Sequence, residues 1–257
     1  MKYIATADTD IGISKETNQD SIGVRIANTK DGQIVMAVLC DGMGGLSKGE
    51  VASAAVVQEF CRWFEQDFPF KQGKMNWSKL ADEWEKMLKQ LNAKIMKYGK
   101  KFEENIGTTV TAVLMVKNKY MAIHVGDSRL YKISSARSMK QLTQDQTVVQ
   151  REIDRGMLTP EEAENDPRRS VLLQCVGASK TIQPEIRFGK IESRCVYMLC
   201  SDGLRHEAQE DEISQMFSPA VLCNKEDMHH NATALIQMVK KRQEKDNISV
   251  VLIKTEE

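Results

Sequence analysis

Four aspartates of this 257-residue chain stand where short apolar runs end or begin. Asp41 follows the run 34–40, and Asp127 follows the run 120–125 after one glycine. Asp202 follows the run 195–200 after one serine, and Asp246 lies just before the run 248–253. Each aspartate taken alone is typical of a turn, because Asp bonds its own backbone and its glycine neighbour tolerates positive φ. Gathered at one sheet edge, however, such carboxylates would repel one another unless cations neutralised them.

A cluster of aspartates without His or Cys predicts a site for hard divalent ions. Ligand sets made only of oxygen favour Mg²⁺ or Mn²⁺, and Gly42 beside Asp41 lets a backbone carbonyl and water approach an ion closely. Two ions that share a carboxylate can bind a phosphate and lower the pKa of a bridging water. The sequence shows no Ser-His-Asp or Cys-His pattern, and this chemistry needs no protein nucleophile. The residues therefore predict a metal-dependent phosphomonoester hydrolase.

The elements that must position these aspartates are short β-branched and apolar runs, which predict strands. These runs are 22–26, 34–40, 110–116, 120–125, 195–200 and 248–253. The short break at 117–119 predicts an antiparallel hairpin. Helical spacing predicts helices over 56–68, 80–95 and 228–239, with Ser47 and Glu50 as a capping box before the first. The order of elements favours mainly antiparallel sheets with helices packed outside.

The segment from about 143 to 177 is a long polar excursion, which is typical of a lid or flap. Within it, Thr159, Pro160 and Glu162 predict a short helix with a capping box. The chain contains no Pro/Gly/Ser-rich linker, low-complexity tract or repeat. We therefore predict one domain over residues 1–257 with a flap subdomain at about 143–177.

Composition excludes several classes of protein. Lys and Arg total 36, as do Asp and Glu, so the zero net charge disfavours nucleic-acid binding and adsorption to anionic membranes. The six cysteines include no Cys-x-x-Cys pair, so we interpret all of them as reduced core residues. Neither a signal peptide nor an apolar run long enough to cross a bilayer is found. These features predict a soluble, cytoplasmic protein.

Six motifs occur in a fixed order along the chain. They are Gly12-x-x-Lys15-x-x-Asn18-Gln19-Asp20, DGMGG at 41–45, GTT at 107–109, GDSR at 126–129, SDGL at 201–204 and DNISV at 246–250. This set resembles the metal-dependent protein Ser/Thr phosphatases of type 2C, the PPM family, and residues 142–177 resemble the flap of its bacterial members. The resemblance implies an α+β fold, with a β-sandwich of two antiparallel sheets flanked by antiparallel α-helix pairs in four αββα layers.

The resemblance also implies which residues bind metal. They are Asp20, Asp41, Gly42, Asp127, Asp202 and Asp246. Asp41 would bridge two Mn²⁺ or Mg²⁺ ions, and the Gly42 carbonyl would bind one of them. Asp202 and Asp246 would hold the first ion, while Asp20 would act mainly through ligand waters. Asp127, together with Asp202, would match a weaker third metal site.

The implied reaction is hydrolysis of phosphoserine and phosphothreonine on proteins by a water activated between the two ions. Asp41 and Lys15 are the implied catalytic residues, with Lys15 binding the phosphate. Phosphorylated proteins would be the partners, among them a cognate Ser/Thr kinase and its targets. The chain would be a monomer that binds neither nucleic acid nor membrane.

Three positions depart from the family pattern. Lys15 stands where the family usually has Arg, so phosphate binding keeps a point charge but loses bidentate geometry. Gln19 replaces an acidic neighbour of Asp20, which is expected to weaken metal affinity. Gln146 replaces a flap His, so no role of that His is transferred. These departures leave open a pseudophosphatase, a regulatory binding module without turnover, whereas the neutral charge disfavours the other alternative, a two-metal nuclease.

Overall fold

The computed structural model describes residues 1–44 and 48–256, and all side chains among them except those of residues 72–74. Ser47 of the predicted capping box and Gly45 of the DGMGG motif lie outside the described residues. Two five-stranded antiparallel sheets form the centre of the molecule. The first sheet has the order β1 (Lys2–Asp10), β12 (Ile248–Glu256), β11 (Cys195–Cys200), β8 (Arg129–Ser134) and β9 (Met139–Gln141). The second has the order β10 (Glu185–Lys190), β7 (Lys119–Val125), β6 (Val110–Val116), β3 (Gly32–Cys40) and β2 (Ser21–Thr29).

Hairpins join neighbouring strands of the second sheet. The predicted hairpin between β6 and β7 is confirmed: Val116 pairs with Lys119, and Lys117 between them has φ 57°. A second hairpin joins β2 to β3, with Thr29 opposite Gly32. A small ribbon of β4 (Gly42–Gly44) and β5 (Ile106–Thr108) lies beside the aspartate motif.

Seven α-helices surround the sheets in the described part of the chain. They are α1 (Gly49–Arg62), α2 (Trp77–Lys101), α3 (Val148–Asp154), α4 (Pro160–Glu164), α5 (Asp202–Arg205), α6 (Glu210–Met216) and α7 (Lys225–Lys241). The first predicted helix was wrong in its length: α1 ends at Arg62 and continues as a π-helical turn (Trp63–Asp67) and a 3₁₀ helix (Phe68–Lys74). Pro69 lacks the N–H that an α-helix would need at that position, so the α-helix cannot continue regularly through the 3₁₀ segment.

The central strands are buried on both faces, and their successive side chains point alternately to the helices and to the other sheet. In β3, Met36 and Val38 face α1 and α2, whereas Val35 and Ala37 face the other sheet. Such strands read as continuous apolar runs, because neither face meets water.

The same holds on the other side of the sandwich. In β11, Val196 and Met198 pack with α6 and α7, whereas Tyr197 and Leu199 lie between the sheets. The architecture is therefore the predicted αββα sandwich.

The segment 143–177 packs over one end of the sandwich. Helices α3 and α4 lie in it, and Thr159 and Glu162 form the predicted capping box. Thr147 pairs with Leu172, and Val176 pairs with Thr108 of β5, so the segment returns to the aspartate end of the sheets. Its identity as a separate flap subdomain stays a prediction.

Within the described residues, all six cysteines are free thiols, and five of them are buried. The prediction that all six belong to the core was wrong for Cys223, which is exposed in the turn before α7. Among the described residues, none of the helices has the length and apolar character needed to cross a bilayer.

Candidate metal centre

Asp20 and Asp41 lie at the same end of the second sheet. Asp20 immediately precedes β2 and Asp41 immediately follows β3, and these strands pair with Ser21 opposite Cys40. The Gly42 amide donates to the Gln19 carbonyl oxygen at 3.1 Å, which continues the pairing past the strand ends. The register thus brings two carboxylates 21 positions apart in sequence to one edge.

Asp202 and Asp246 come from the corresponding edge of the first sheet. Cys200 pairs with Val250, and the Ser201 amide donates to the Ser249 carbonyl oxygen at 3.1 Å. Asp202 begins α5 directly after β11, and Asp246 lies two residues before β12.

Asn247 ties the two sheet edges together. Its Oδ1 accepts from the Gln19 amide at 2.9 Å, and its Nδ2 donates to the Ile11 and Thr17 carbonyl oxygens at 2.9 and 3.3 Å. Asn247 is 3 % exposed, so these bonds are shielded from water. The loop that carries Lys15 and ends at Asp20 is therefore fixed to the residue next to Asp246.

Two glycines permit this close approach. A Cβ atom on Gly42 would lie 2.4 Å from the carbonyl oxygens of both Gln19 and Gly49. A Cβ atom on Gly203 would lie 2.2 Å from the Asn247 carbonyl oxygen. Any side chain at either position would separate the backbone segments that carry the aspartates.

The carboxylates are close enough to perturb one another. Burial, and then the charges of Asp202 and Asp246, raise the pKa of Asp20 to about 7, although the Ser249 and Ser201 hydroxyls offset this in part. Asp41 keeps some exposed surface, yet the enclosure of its carboxyl group raises its pKa well above the ordinary value. The charges of Asp20 and Asp202 add to that rise. The structure thus brings Asp20, Asp41, Asp202 and Asp246 into one electrostatic cluster.

Several oxygens of this cluster lack partners. Oδ1 of Asp202 and both carboxylate oxygens of Asp20 are buried and make no well-formed hydrogen bond among residues 1–44 and 48–256, although the Ser249 and Ser201 hydroxyls lie close enough to Asp20 to lower its pKa in part. Buried carboxylate oxygens in this state are costly unless a cation or a donor reaches them. Carboxylate oxygens gathered in one region of negative potential are suitable ligands for Mg²⁺ or Mn²⁺. In the described part of the chain, no group of three or more His, Cys, Asp or Glu side chains could hold a metal ion as arranged here.

Lys15 lies at the same cluster. Its Nζ atom is 2.9 Å from Oδ1 of Asp246, and its side chain is 41 % exposed. Burial alone would lower the pKa of Lys15, but the hydrogen bond and charge of Asp246, with those of Asp41 and Asp202, raise it. Lys15 is therefore a fixed positive charge at the open side of the centre.

Asp127 lies in a neighbouring ionic network. Nη2 of Arg205 is 3.6 Å from Oδ2 of Asp127 and 3.7 Å from Oδ2 of Asp145. Arg129 donates to both oxygens of Asp145, at 2.8 and 2.7 Å. Burial and the Asp202 charge raise the pKa of Asp127 to about 7, while Arg205 lowers it in part. Asp127 thus lies beside the cluster but already has a cationic partner.

His206 connects the cluster to Glu244. Its Nε2 lies 3.5 Å from Oδ2 of Asp202, and its Nδ1 lies 3.5 Å from Oε2 of Glu244. Glu244 also accepts from the backbone amides of Lys245 and Asp246. Burial lowers the pKa of His206, but Glu244 and Asp202 raise it overall. His206 therefore braces two metal-ligand candidates, a role that sequence reasoning missed.

Gln146, which replaces the flap His of the family pattern, has a structural position. Its Oε1 accepts from the Gly126 amide at 2.9 Å and from Nε2 of Gln174 at 2.8 Å. The neighbouring His124 is buried, with Nδ1 bonded to the Thr111 hydroxyl at 2.9 Å and Nε2 to the Gly126 carbonyl oxygen at 3.0 Å. Gln146 and His124 together hold the loop that presents Asp127.

A cavity of about 280 Å³ lies at the opposite end of β3, beside Ile34 and Trp77. Its Asp31 pairs with Lys117 at 3.2 Å. The unpartnered carboxylate oxygens lie at the other end of the sheets, which makes the aspartate cluster the candidate active site.

Comparison with known proteins agrees with this fold and site. The serine/threonine phosphatase stp of Listeria welshimeri is 27 % identical over 247 residues, covering 95 % of this chain and 93 % of that protein. The structure of the Streptococcus agalactiae serine/threonine phosphatase superposes with a TM-score of 0.85 at 28 % identity, covering 99 % and 100 % of the two chains.

A further solved structure carries metal. It is the catalytic domain of the serine/threonine protein phosphatase PstP in complex with two manganese ions, with a TM-score of 0.77, 26 % identity and 99 % coverage of each chain. Residues 13–240 match the sequence profile of the family described as protein phosphatase 2C. These residues include every aspartate of the cluster except Asp246. By this match over most of its length, the chain belongs to the protein phosphatase 2C family.

Proposed function

We propose that this protein hydrolyses phosphoserine and phosphothreonine on proteins with two Mn²⁺ or Mg²⁺ ions held at the aspartate cluster. The observation that carries the proposal is the Asp20 carboxylate, which is buried among other carboxylates and makes no well-formed hydrogen bond through either oxygen in the described residues. A site of this kind costs stability unless cations or protons neutralise it. Membership of the protein phosphatase 2C family and the two manganese ions of PstP support the same conclusion.

Five residues would hold the ions. They are Asp20, Asp41, Gly42, Asp202 and Asp246. Asp41 and the Gly42 carbonyl would serve from the second sheet, and Asp202 and Asp246 from the first. Because no three acidic side chains of the described chain form a complete ligand set, backbone oxygen, water and phosphate would supply the rest.

Bound divalent ions would supply Lewis acidity for the phosphate and a low pKa for an attacking water. The protein's own residues orient the substrate and fix the ligands. Lys15, an ammonium at the open side of the cluster, would bind the phosphate oxygens as a point charge. Asn247 holds the Lys15 loop against the first sheet, so that the Lys15 ammonium group stays close to Asp246.

The pseudophosphatase alternative is disfavoured by the same contacts. Lys15 keeps a positive charge at the cluster. Gln146, at the position where the family usually has a flap His, accepts a hydrogen bond from the Gly126 amide. A binding module without metal would have to tolerate the clustered carboxylates, with buried oxygens of Asp20 and Asp202 lacking a well-formed hydrogen bond, at a cost in stability.

Several finer points are part of the proposal. A cognate Ser/Thr kinase and its targets are the proposed partners, and the chain is proposed to act as a monomer with residues 143–177 as a flap subdomain. Action in the cytoplasm is supported by the six free thiols of the described chain.

The test is phosphate release from a phosphothreonine peptide by the purified protein, with Mn²⁺ and then with excess chelator. Release that needs Mn²⁺ and stops with chelator is expected. Binding of the peptide without release at any Mn²⁺ concentration would favour the pseudophosphatase. Cleavage of DNA or RNA without release from the peptide would favour a nuclease.

A further inference from the structure

The guanidinium group of Arg205 lies where the family resemblance implies a third cation, at Asp127. Its Nη2 atom has three oxygen neighbours: Oδ2 of Asp127 at 3.6 Å, Oδ2 of Asp145 at 3.7 Å, and the Asp127 carbonyl oxygen, to which it donates at 3.2 Å. The Arg205 side chain is 16 % exposed. A single nitrogen surrounded by two carboxylates and a carbonyl is in the kind of environment that binds a cation.

The charges of this network already balance. Asp127 and Asp145 contribute two negative charges, and Arg205 and Arg129 contribute two positive ones. Arg stays protonated at any ordinary pH, so this positive charge cannot be removed by titration. A divalent ion at Asp127 would be attracted by the Asp202 charge but repelled by two fixed guanidinium groups in a poorly screened interior.

Arg205 is also tied to the centre through its helix. It ends α5, the short helix that begins with Asp202. Directly after it, the His206 amide donates to the Asp202 carbonyl oxygen at 3.0 Å. The short helix therefore places the Arg205 backbone at a fixed position relative to Asp202, within side-chain reach of Asp127.

We infer that Arg205 takes the place of a third metal ion at Asp127, so that this protein works with two ions. In this role Arg205 is a positioning residue, which fixes Asp127 and the start of the 143–177 segment at Asp145 relative to the aspartate cluster. The inference rests on the proposed function, since it presumes the two-ion centre. It revises the expectation that Asp127 and Asp202 hold a weak third ion.

The test counts bound Mn²⁺ per chain by equilibrium dialysis at increasing free Mn²⁺. Three variants are compared with the natural protein: Arg205→Gln, Asp127→Asn, and Arg62→Gln as the control. Arg62 is chosen because it forms ion pairs with Glu59 and Asp67 away from the cluster. Circular dichroism checks that each variant is folded.

The natural protein and Arg62→Gln are expected to saturate at two Mn²⁺, and Arg205→Gln to gain a third, weaker one. Asp127→Asn should still bind two ions, which decides the matter if Arg205→Gln does not fold. Two results would overturn the inference while leaving the two-ion phosphatase intact. One is that the natural protein binds three Mn²⁺ ions and Asp127→Asn binds only two. The other is that a folded Arg205→Gln still binds only two. No bound Mn²⁺ in any protein would overturn both the inference and the proposed function.

Discussion

Nζ of Lys15 lies 2.9 Å from Oδ1 of Asp246, joining the predicted phosphate-binding residue to a predicted metal ligand. The two residues are 231 positions apart, and Asn247 holds their loops together. The Lys15 ammonium group, which would bind the phosphate, is thereby held next to the carboxylates that would hold the ions. Substrate binding and metal binding are expected to be linked through this pair.

Replacing Lys15 should weaken phosphate binding more than turnover. In Lys15→Ala, KM for a phosphothreonine peptide and Ki for inorganic phosphate should rise about tenfold, since a hydrogen bond from a charged donor contributes roughly 1.5–3 kcal/mol, less where solvent screens it. Lys15→Arg should retain tight binding through bidentate geometry. Steady-state kinetics at saturating Mn²⁺ measure this, with Lys117→Ala, from the exposed pair with Asp31, as the control. Unchanged KM and Ki in Lys15→Ala would remove Lys15 from the phosphate site.

Asp20 should make the metal-free protein less stable as pH rises. Its folded pKa of about 7 exceeds the ordinary value of 3.8, so between these values the native state binds more protons than the unfolded chain. The free energy of unfolding therefore falls as pH increases through this window, by an amount on the order of a few kcal/mol.

Urea unfolding in chelator at about pH 4 and about pH 8 measures this effect. Between the two pH values, Asp20→Asn should lose less free energy of unfolding than the natural protein. Any effect of the amide on stability that does not depend on pH cancels in this comparison. Added Mn²⁺ should restore stability to the natural protein at the higher pH. Equal pH dependence in both proteins would show that Asp20 is not the buried charge responsible.

Asn247 should matter both for stability and for substrate binding. Asn247→Ala leaves the Gln19 amide and the Ile11 and Thr17 carbonyl oxygens without their side-chain partner, and should lower the free energy of unfolding by at least about 2 kcal/mol. Because the Lys15 loop loses its anchor, KM should rise as well. Asn28→Ala removes only an exposed contact to Gln33 and serves as the control. Equal behaviour of the two variants would contradict the anchoring role.

Gln146 should act as a structural residue. Gln146→Ala leaves the Gly126 amide without its acceptor, and should cost about 1–3 kcal/mol in the free energy of unfolding. Gln150→Ala, which removes an exposed contact to Asp154, should stay within about 0.5 kcal/mol of the natural protein. Denaturant titration measures both, and a Gln146→Ala variant as stable as Gln150→Ala would refute this role.

The strands that carry the site were predictable because they are buried on both faces. Residues 34–40 and 195–200 lie between a helical layer and the other sheet, so they are apolar throughout. By contrast, β1 was missed because its exposure follows no simple alternation. The edge strand β10, largely exposed, has no apolar run to reveal it.

The site was predictable in residue type but not in its contacts. Asp41 and Asp202 could be singled out because each follows a recognisable strand within a motif. The pairing of Arg205 with Asp127 joins positions 78 apart, and no local pattern reveals it. The place of Gln146 at the Gly126 amide likewise depends on how the 143–177 segment folds back onto β7.

The most direct test of the account compares Asp41→Asn with Asp31→Asn in Mn²⁺-dependent hydrolysis of a phosphothreonine peptide. Asp41 stands at the cluster, whereas Asp31 is an exposed carboxylate at the opposite end of β3. The account predicts that Asp41→Asn lowers kcat/KM by at least about 100-fold, since even residues behind metal ligands contribute 10–100-fold, while Asp31→Asn retains full activity. Equal activity of the two variants across Mn²⁺ concentrations would contradict a metal centre built on Asp41.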